Sequence, residues 1–85
     1  MAFQVEIVTP LRSVFEGEVV SLTLPGVVGS FQILQNHAPI LAALQEGELR
    51  IELPDKSKQT FKISSGFVEM NNNRAIVIAE NIQNT

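Results

Sequence analysis

Alternation of apolar and polar residues with a period of two recurs along this chain, and it limits the possible folds more than any other feature of the sequence. The alternation is present in residues 3–7, 20–24, 49–53 and 61–63. Successive side chains of a β-strand point to opposite faces, so each of these segments is predicted to be a strand with one buried face. Helical periodicity is almost absent. The chain is therefore predicted to be all-β.

Two apolar segments need a separate interpretation. Residues 75–79 are apolar without a break, which predicts a strand covered on both faces near the centre of a sheet. Residues 38–44 contain helix-forming alanines, but Pro39 interrupts them near the start and the run is too short for an independent helix. A strand or a single turn is predicted there.

Turn-forming residues separate the predicted strands at intervals of about eight to twelve residues, which is typical of a β-sandwich or a barrel. These turns are at Thr9-Pro10, 16–18, Pro25-Gly26, 45–47, 54–57 and 71–73.

Length and composition restrict the function as well as the fold. The 85 residues, 45% of them hydrophobic, suffice for one domain with a packed core. We predict this domain over residues 1–80 and a frayed C-terminal tail over 81–85. A net charge of −3 and the lack of Trp and Tyr argue against nucleic-acid binding. Apolar runs of about five residues are far shorter than the roughly 20 of a membrane-spanning helix.

The sequence offers little for catalysis or metal binding. His37 is the only histidine and there is no cysteine, so a nucleophilic triad or a tetrahedral metal site lacks its components. The carboxylates occupy turns or the polar phase of strands, and no pair of them stands out for acid-base chemistry. Gly26 and Gly29 are not followed by the Lys-Ser/Thr of a phosphate-binding loop. The chain is predicted to have no catalytic residues, cofactor or metal, and to act through a surface.

Several motifs follow one another in a fixed order along the chain. They are Val8-Thr9-Pro10, FEGEV at 15–19, LPGVVGSFQILQNHAPILAAL at 24–44, GELRI at 47–51, SSGFVEM at 64–70 and AIVIAE at 75–80. No single motif is specific, but their order and spacing over essentially the whole chain resemble the epsilon subunit of the F-type ATP synthase.

This resemblance implies a β-sandwich of about ten strands in two antiparallel sheets. It also implies a place at the foot of the rotor of a hetero-oligomeric ATP synthase, between the gamma subunit and the membrane c-ring. The implied role is non-catalytic and mechanical: the subunit couples gamma to the c-ring for proton-driven ATP synthesis, with sodium left open as the driving ion. The implied location is peripheral, at the cytoplasmic face of a bacterial inner membrane, without insertion into the membrane.

The resemblance also implies which residues meet each partner. Contact with the c-ring is expected at Gly26, Val27, Val28, Gly29 and Ser30. Gly26 and Gly29 can take the positive φ of a tight turn, which leaves the two valines at its tip. Many family members carry an acidic residue in this loop, whereas this chain has valines and a serine. An apolar contact is therefore expected, and the alternative is that one valine folds back on its own sheet.

Contact with gamma is implied for two sets of residues. The first is the run His37-Ala38-Pro39, in which proline stiffens the entry to the next strand. The second is Thr9, Ala42 and Ser64. The sequence departs from the family at Gln35-Asn36, where Pro-Gly is common, and this change is expected to alter the turn but not the register.

The resemblance stops at the end of the sandwich. Family members usually continue into a hairpin of two helices, which in several of them inhibits ATP hydrolysis and in some binds ATP, whereas this sequence ends at Thr85. We expect a natural short form rather than an excised domain, and expect neither ATP binding nor inhibition through such helices.

Two other functions fit the sequence less well than a rotor subunit does. A carbohydrate- or lipid-binding sandwich is disfavoured because carbohydrate modules usually present Trp or Tyr platforms. A hydrolase built around His37 is disfavoured because no partner nucleophile or base is evident.

Overall fold

The computed structural model describes residues 2–84, and these residues form strands and turns without a helix. The strands are β1 (Phe3–Val8), β2 (Ser13–Val19), β3 (Ser21–Gly26), β4 (Gly29–Ile33), β5 (Ile40–Leu44), β6 (Gly47–Glu52), β7 (Lys58–Ile63), β8 (Gly66–Asn71), β9 (Arg74–Ala79) and β10 (Ile82–Asn84). The prediction of an all-β sandwich of about ten strands is confirmed.

The strands pack as two layers. One layer has the order β5-β8-β9-β1-β2, and the other has the order β10-β7-β6-β3 with β4 on β3. A single pairing of Gly26 with Leu44 links β3 to β5 and makes the two layers one continuous sheet. The expectation of two purely antiparallel sheets therefore needs two refinements: the layers are joined, and β1 pairs with β9 in parallel.

The core lies between the layers and is formed by the inward phase of each alternating segment. Phe3, Val5 and Ile7 are buried while Gln4 is exposed, as the period-two pattern predicts. Phe61 is among the largest fully buried side chains, and no polar or charged residue of 2–84 is buried. The free energy that stabilises the sandwich therefore comes mainly from apolar burial.

Residues 38–44 and 81–85 show how local sequence relates to the final structure. Ile40–Leu44 form β5, which confirms a strand instead of a helix. Ile82–Asn84, expected to fray, instead form β10, which pairs with β7. The side chain of Ile82 is buried in the core, and this anchor explains why the tail prediction is wrong there. Thr85 lies outside the described residues.

Residues 75–79 form the interior strand β9, between β8 and β1, as predicted. The predicted cover on both faces is wrong, however. Ala75, Val77 and Ala79 face the core, whereas Ile76 is half-buried and Ile78 is 46% exposed on the outer face. The second layer lies on the other side of the sheet, so this outer face is only partly covered.

Candidate interaction surface

The β3–β4 hairpin carries Val27 and Val28 at its tip. Gly26 pairs with Gly29 at the end of the ladder, and the valines are 55% and 99% exposed. Neither valine folds back on the sheet. The hairpin tip, defined as residues 26–30, therefore presents apolar side chains to the surroundings. Its base is held to β5, because the backbone N–H of Val27 donates to the carbonyl oxygen of Ala43 at 3.2 Å.

The two glycines of this turn are required for different reasons. Gly29 has φ 134°, in the region that side-chain-bearing residues rarely adopt. Gly26 does not have a positive φ, so the expectation of that geometry holds for Gly29 alone. A Cβ on Gly26 would lie 2.7 Å from the carbonyl oxygen of Gly29 and 2.9 Å from Cε1 of Phe31. Close packing of the hairpin on itself explains Gly26.

The predicted contact run His37-Ala38-Pro39 forms an ordered loop between β4 and β5. The N–H of His37 donates to the carbonyl oxygen of Leu34 at 3.1 Å and closes a turn. Asn36 in this turn has φ 66°, as a type II turn requires of its third residue. Nδ1 of His37 lies 2.7 Å from the carbonyl oxygen of Ala38. A carbonyl only accepts, so Nδ1 carries the proton and Nε2 is left for another partner.

Thr9 and Ser64, two further predicted contacts, have hydroxyl groups that bind their own chain. The Thr9 hydroxyl oxygen accepts from the N–H groups of Leu11 and Arg12, both at 3.2 Å, and so stabilises the β1–β2 turn. The Ser64 hydroxyl oxygen accepts from the N–H of Asn81 at 3.0 Å. These hydrogen bonds give both residues a structural role in the free chain.

Ala42 is the predicted contact that the structure places least favourably. Its side chain lies on the inner face of β5 and packs against the core. The neighbours Leu41 and Ala43 point outwards and are exposed, Leu41 to 72%. The residues of β5 that point outwards are therefore Leu41 and Ala43, one position before and one after the predicted contact Ala42.

The outer face of the first layer carries a row of apolar side chains across four strands. Ala43 of β5 pairs with Phe67 of β8, Phe67 pairs with Ile78 of β9, and Ile78 pairs with Val8 of β1. Paired residues of neighbouring strands point to the same face. Phe67 is 57% exposed. We call this row, together with Leu41, the outer patch.

The outer patch lies between the two groups of predicted gamma contacts. The strand register puts Thr9 and Ser64 at the end of the layer where Leu44, Gly66 and Ala79 lie. The loop that contains His37-Ala38-Pro39 leads into the opposite end, where Ile40 pairs with Met70. The predicted contacts therefore do not form one cluster, but they border one face.

Carboxylates border the outer patch on one side. The next row across the layer contains Leu41, Glu69, Ile76, Glu6 and Glu16, each paired with the one after it, so that Glu69 lies directly beside Leu41 of the patch. A partner that covers the patch has to offer basic or polar groups to this row, because burying an unpaired carboxylate costs free energy.

Within residues 2–84, no group of three or more His, Cys, Asp or Glu is placed to hold a metal ion.

Sequence reasoning missed Leu41, Phe67 and Ile78. The available signal was the presence of large apolar residues in the outward phase of β5, β8 and β9, where an amphipathic strand carries polar ones.

No helix in residues 2–84 is long and apolar enough to cross a membrane.

Comparison with known proteins defines the family. Residues 2–85 match the model for the beta-sandwich domain of the ATP synthase delta/epsilon chain. The chain belongs to this family. It is 48% identical over 81 residues to the ATP synthase epsilon chain of Chlorobium limicola, with 95% of this chain and 92% of the relative covered. The resemblance to epsilon subunits in the sequence is thereby confirmed.

Other epsilon chains are longer than the region they share with this one. The match to the epsilon chain of Dichelobacter nodosus, at 38% identity, covers 92% of this chain but 54% of the relative. Solved structures share the fold at lower identity. A chain of the mitochondrial ATP synthase of Euglena gracilis superposes with a TM-score of 0.93 at 18% identity, over 98% of this chain and 53% of the other.

A second solved structure extends this fold comparison. A chain of the Tetrahymena thermophila mitochondrial ATP synthase, from a central stalk and c-ring assembly, gives a TM-score of 0.76 at 20% identity. The alignment covers 93% of this chain and 63% of that one. At these identities the two solved structures show the fold of this chain and nothing of its contacts.

Proposed function

We propose that this epsilon-family chain is a non-catalytic component of the ATP synthase central stalk that joins the gamma subunit to the c-ring. The outer patch is the main support. Apolar side chains of four adjacent strands line up in one row there, Leu41, Phe67 and Ile78 of the patch are exposed, and exposed apolar patches mark interaction sites. In this role the chain transmits rotation of the ring to gamma during proton-driven ATP synthesis, at the cytoplasmic face of a bacterial inner membrane.

Gamma is proposed to cover the outer patch. The contact residues are Leu41, Phe67 and Ile78, flanked by His37-Ala38-Pro39 at one end of the layer. Thr9 and Ser64 flank it at the other end, and we assign Ala42 to the supporting core side of β5. The apolar row supplies the area whose burial stabilises the complex, and the polar ends supply orientation.

The c-ring is proposed to contact the hairpin tip. Val28 is almost fully exposed on a two-residue turn, where an apolar side chain gains nothing in the free chain. A loop of the ring that offers an apolar side chain can cover it without rearrangement of the sandwich, because Gly26 and Gly29 define the turn. The hairpin tip adjoins the outer patch at Ala43, whose carbonyl oxygen accepts from the N–H of Val27, so the two partners are proposed to meet neighbouring parts of the surface.

Complex formation with gamma is the experiment that tests this function. We expect the purified chain and the gamma subunit of the same organism to elute as a one-to-one complex in size-exclusion chromatography and to give saturable heat in calorimetry. The controls are each protein alone and a circular dichroism spectrum showing that the chain is folded. A folded chain that does not bind gamma would contradict the proposal. The alternative of a ligand-binding sandwich would then be tested.

The variant Val28→Asp tests whether the hairpin tip binds the c-ring and not gamma. We expect this change to weaken association with detergent-solubilised c-ring by about tenfold or more, because it places a carboxylate in an apolar contact, a loss of about 1.4 kcal/mol or more. Affinity for gamma should stay within about twofold. Gln83→Asp, at an exposed position outside the hairpin tip, is the matched control for charge and should keep c-ring association within about twofold. Equal loss of gamma binding in Val28→Asp would contradict the division into two surfaces.

A further inference from the structure

Two loops that are far apart in the sequence are joined by a pair of amide hydrogen bonds. The backbone N–H of Asn36, in the β4–β5 loop, donates to Oδ1 of Asn73 at 2.6 Å. Nδ2 of Asn73, in the β8–β9 turn, donates to Oδ1 of Asn36 at 2.9 Å. The two residues are 37 positions apart. The oxygen and the nitrogen of the Asn73 side-chain amide are therefore both hydrogen-bonded to Asn36.

Backbone conformation alone does not explain why asparagine, and not glycine, occupies positions 36 and 73. Asn36 and Asn73 have φ values of 66° and 59°, a region in which glycine is at least as comfortable as asparagine. Glycine would allow the same turns but offers no amide. Asn72, next to Asn73 in the same turn, also has a positive φ of 52°, yet the described structure gives its side chain no hydrogen bond. The side chain of Asn73 thus has a function that its neighbour lacks.

The paired amides fix the loop that leads into β5. Asn36 directly precedes His37, whose N–H is bonded to Leu34, and Pro39 restricts the backbone before Ile40. The backbone oxygen of Asn73 also accepts from the N–H of Gln4 at 3.0 Å. The loop is therefore attached, through Asn73, to the first strand of the layer that carries the outer patch.

We propose that Asn36 and Asn73 act as a clasp that presets His37-Ala38-Pro39 in the conformation that binds gamma. This inference rests on the proposed function, because it assigns positioning residues to the same contact. A loop that is already ordered loses less conformational entropy on binding, and the affinity rises accordingly. The clasp is solvent-exposed, so its contribution to global stability is small while its effect on the loop is direct.

Glycine substitutions test the clasp without straining the turns. We expect Asn73→Gly to lower the affinity for gamma by about three- to tenfold in calorimetry, because both hydrogen bonds are lost. The matched control is Asn72→Gly in the same turn, which should bind within about twofold of the unmodified chain. The melting temperatures of the two variants should agree within a few degrees, since both remove an exposed side chain at positive φ.

Variants at Asn36 test the same pair of hydrogen bonds from the other loop. Asn36→Asp keeps an acceptor for Nδ2 of Asn73 and keeps its own N–H, so its affinity should stay within about twofold. Asn36→Gly removes only the side-chain acceptor and should fall between the unmodified chain and Asn73→Gly. The double variant should bind no worse than Asn73→Gly, because residues that act as a unit give non-additive effects.

The outcomes separate the clasp from the proposed function. Equal affinities of Asn73→Gly and Asn72→Gly, with the unmodified chain bound to gamma, would overturn the clasp and leave the function in place. An additive further loss in the double variant would also overturn it. Absence of gamma binding by the unmodified, folded chain would instead overturn the proposed function.

Discussion

Replacement of Phe67 by aspartate is expected to weaken binding to gamma by about 100-fold or more while the sandwich stays folded. Phe67 lies at the centre of the outer patch, between Ala43 and Ile78. Large aromatic side chains at the centre of an interface contribute most to affinity, commonly 2 kcal/mol or more on truncation. The aspartate adds the cost of burying an unpaired carboxylate. Calorimetric titration with gamma measures the loss.

Two controls give this expectation its meaning. Gln83→Asp adds the same charge on the exposed strand β10 of the second layer and should leave gamma affinity within about twofold. Phe67→Leu retains an apolar side chain and should lose less than about tenfold. Thermal unfolding followed by circular dichroism should show a folded protein in all three variants, because Phe67 is more than half exposed in the free chain. Affinity of folded Phe67→Asp equal to that of Gln83→Asp would show that gamma does not cover the outer patch.

Replacement of Gly66 by alanine is expected to cost about 3 kcal/mol or more of unfolding free energy, which is a large part of the stability of a small domain. The added Cβ would overlap the carbonyl oxygen of Ile78 and lie 3.0 Å from Cα of Ala79. Both atoms belong to the backbone of the paired strand β9. A backbone cannot rotate away as a flexible side chain can, so the β8–β9 ladder has to separate at this point.

The measurement is urea denaturation, with the midpoint and slope compared between variants. Gly17→Ala is the matched control, because it also adds one methyl group to a glycine within a strand. The nearest atom to that Cβ is Cζ of Phe15 at 3.4 Å, which is ordinary van der Waals contact. We expect it to change the unfolding free energy by less than about 1 kcal/mol. A Gly66→Ala midpoint close to that of Gly17→Ala would show that β8 and β9 adjust more easily than their register suggests.

The effects expected at Phe67 and Gly66 depend on the pairing of β8 with β9 more than on the local sequence. The motif SSGFVEM contributes to the family resemblance, but the close approach of Ile78 to Gly66 follows only from the β8–β9 pairing. The same pairing places Phe67 beside Ile78 on the outer face. An apolar run such as residues 75–79 predicts cover on both faces, and it cannot tell whether the second cover comes from the same chain or from a partner.

The predicted contact residues show the same division. The position of the turn at the tip of the β3–β4 hairpin could be predicted from the glycines on either side of the two valines, whereas the exposure of both valines is decided by the structure. The inward direction of Ala42 could not be predicted, because the phase of β5 depends on its register with β8 rather than on the short apolar run itself. The hydroxyl groups of Thr9 and Ser64 were predicted as contacts, and the structure shows them bonded within the chain.

The sequence by itself determined the all-β class, the positions of most strands and turns, and the family, because alternation, turn residues and ordered motifs are local properties of the chain. Only the tertiary structure decided which apolar side chains remain uncovered and which loops are fixed. The outer patch exists because the register of four strands aligns Ala43, Phe67, Ile78 and Val8 in one row. The clasp exists because folding brings Asn36 within hydrogen-bond distance of Asn73. Both depend on contacts between distant residues, which no local pattern specifies.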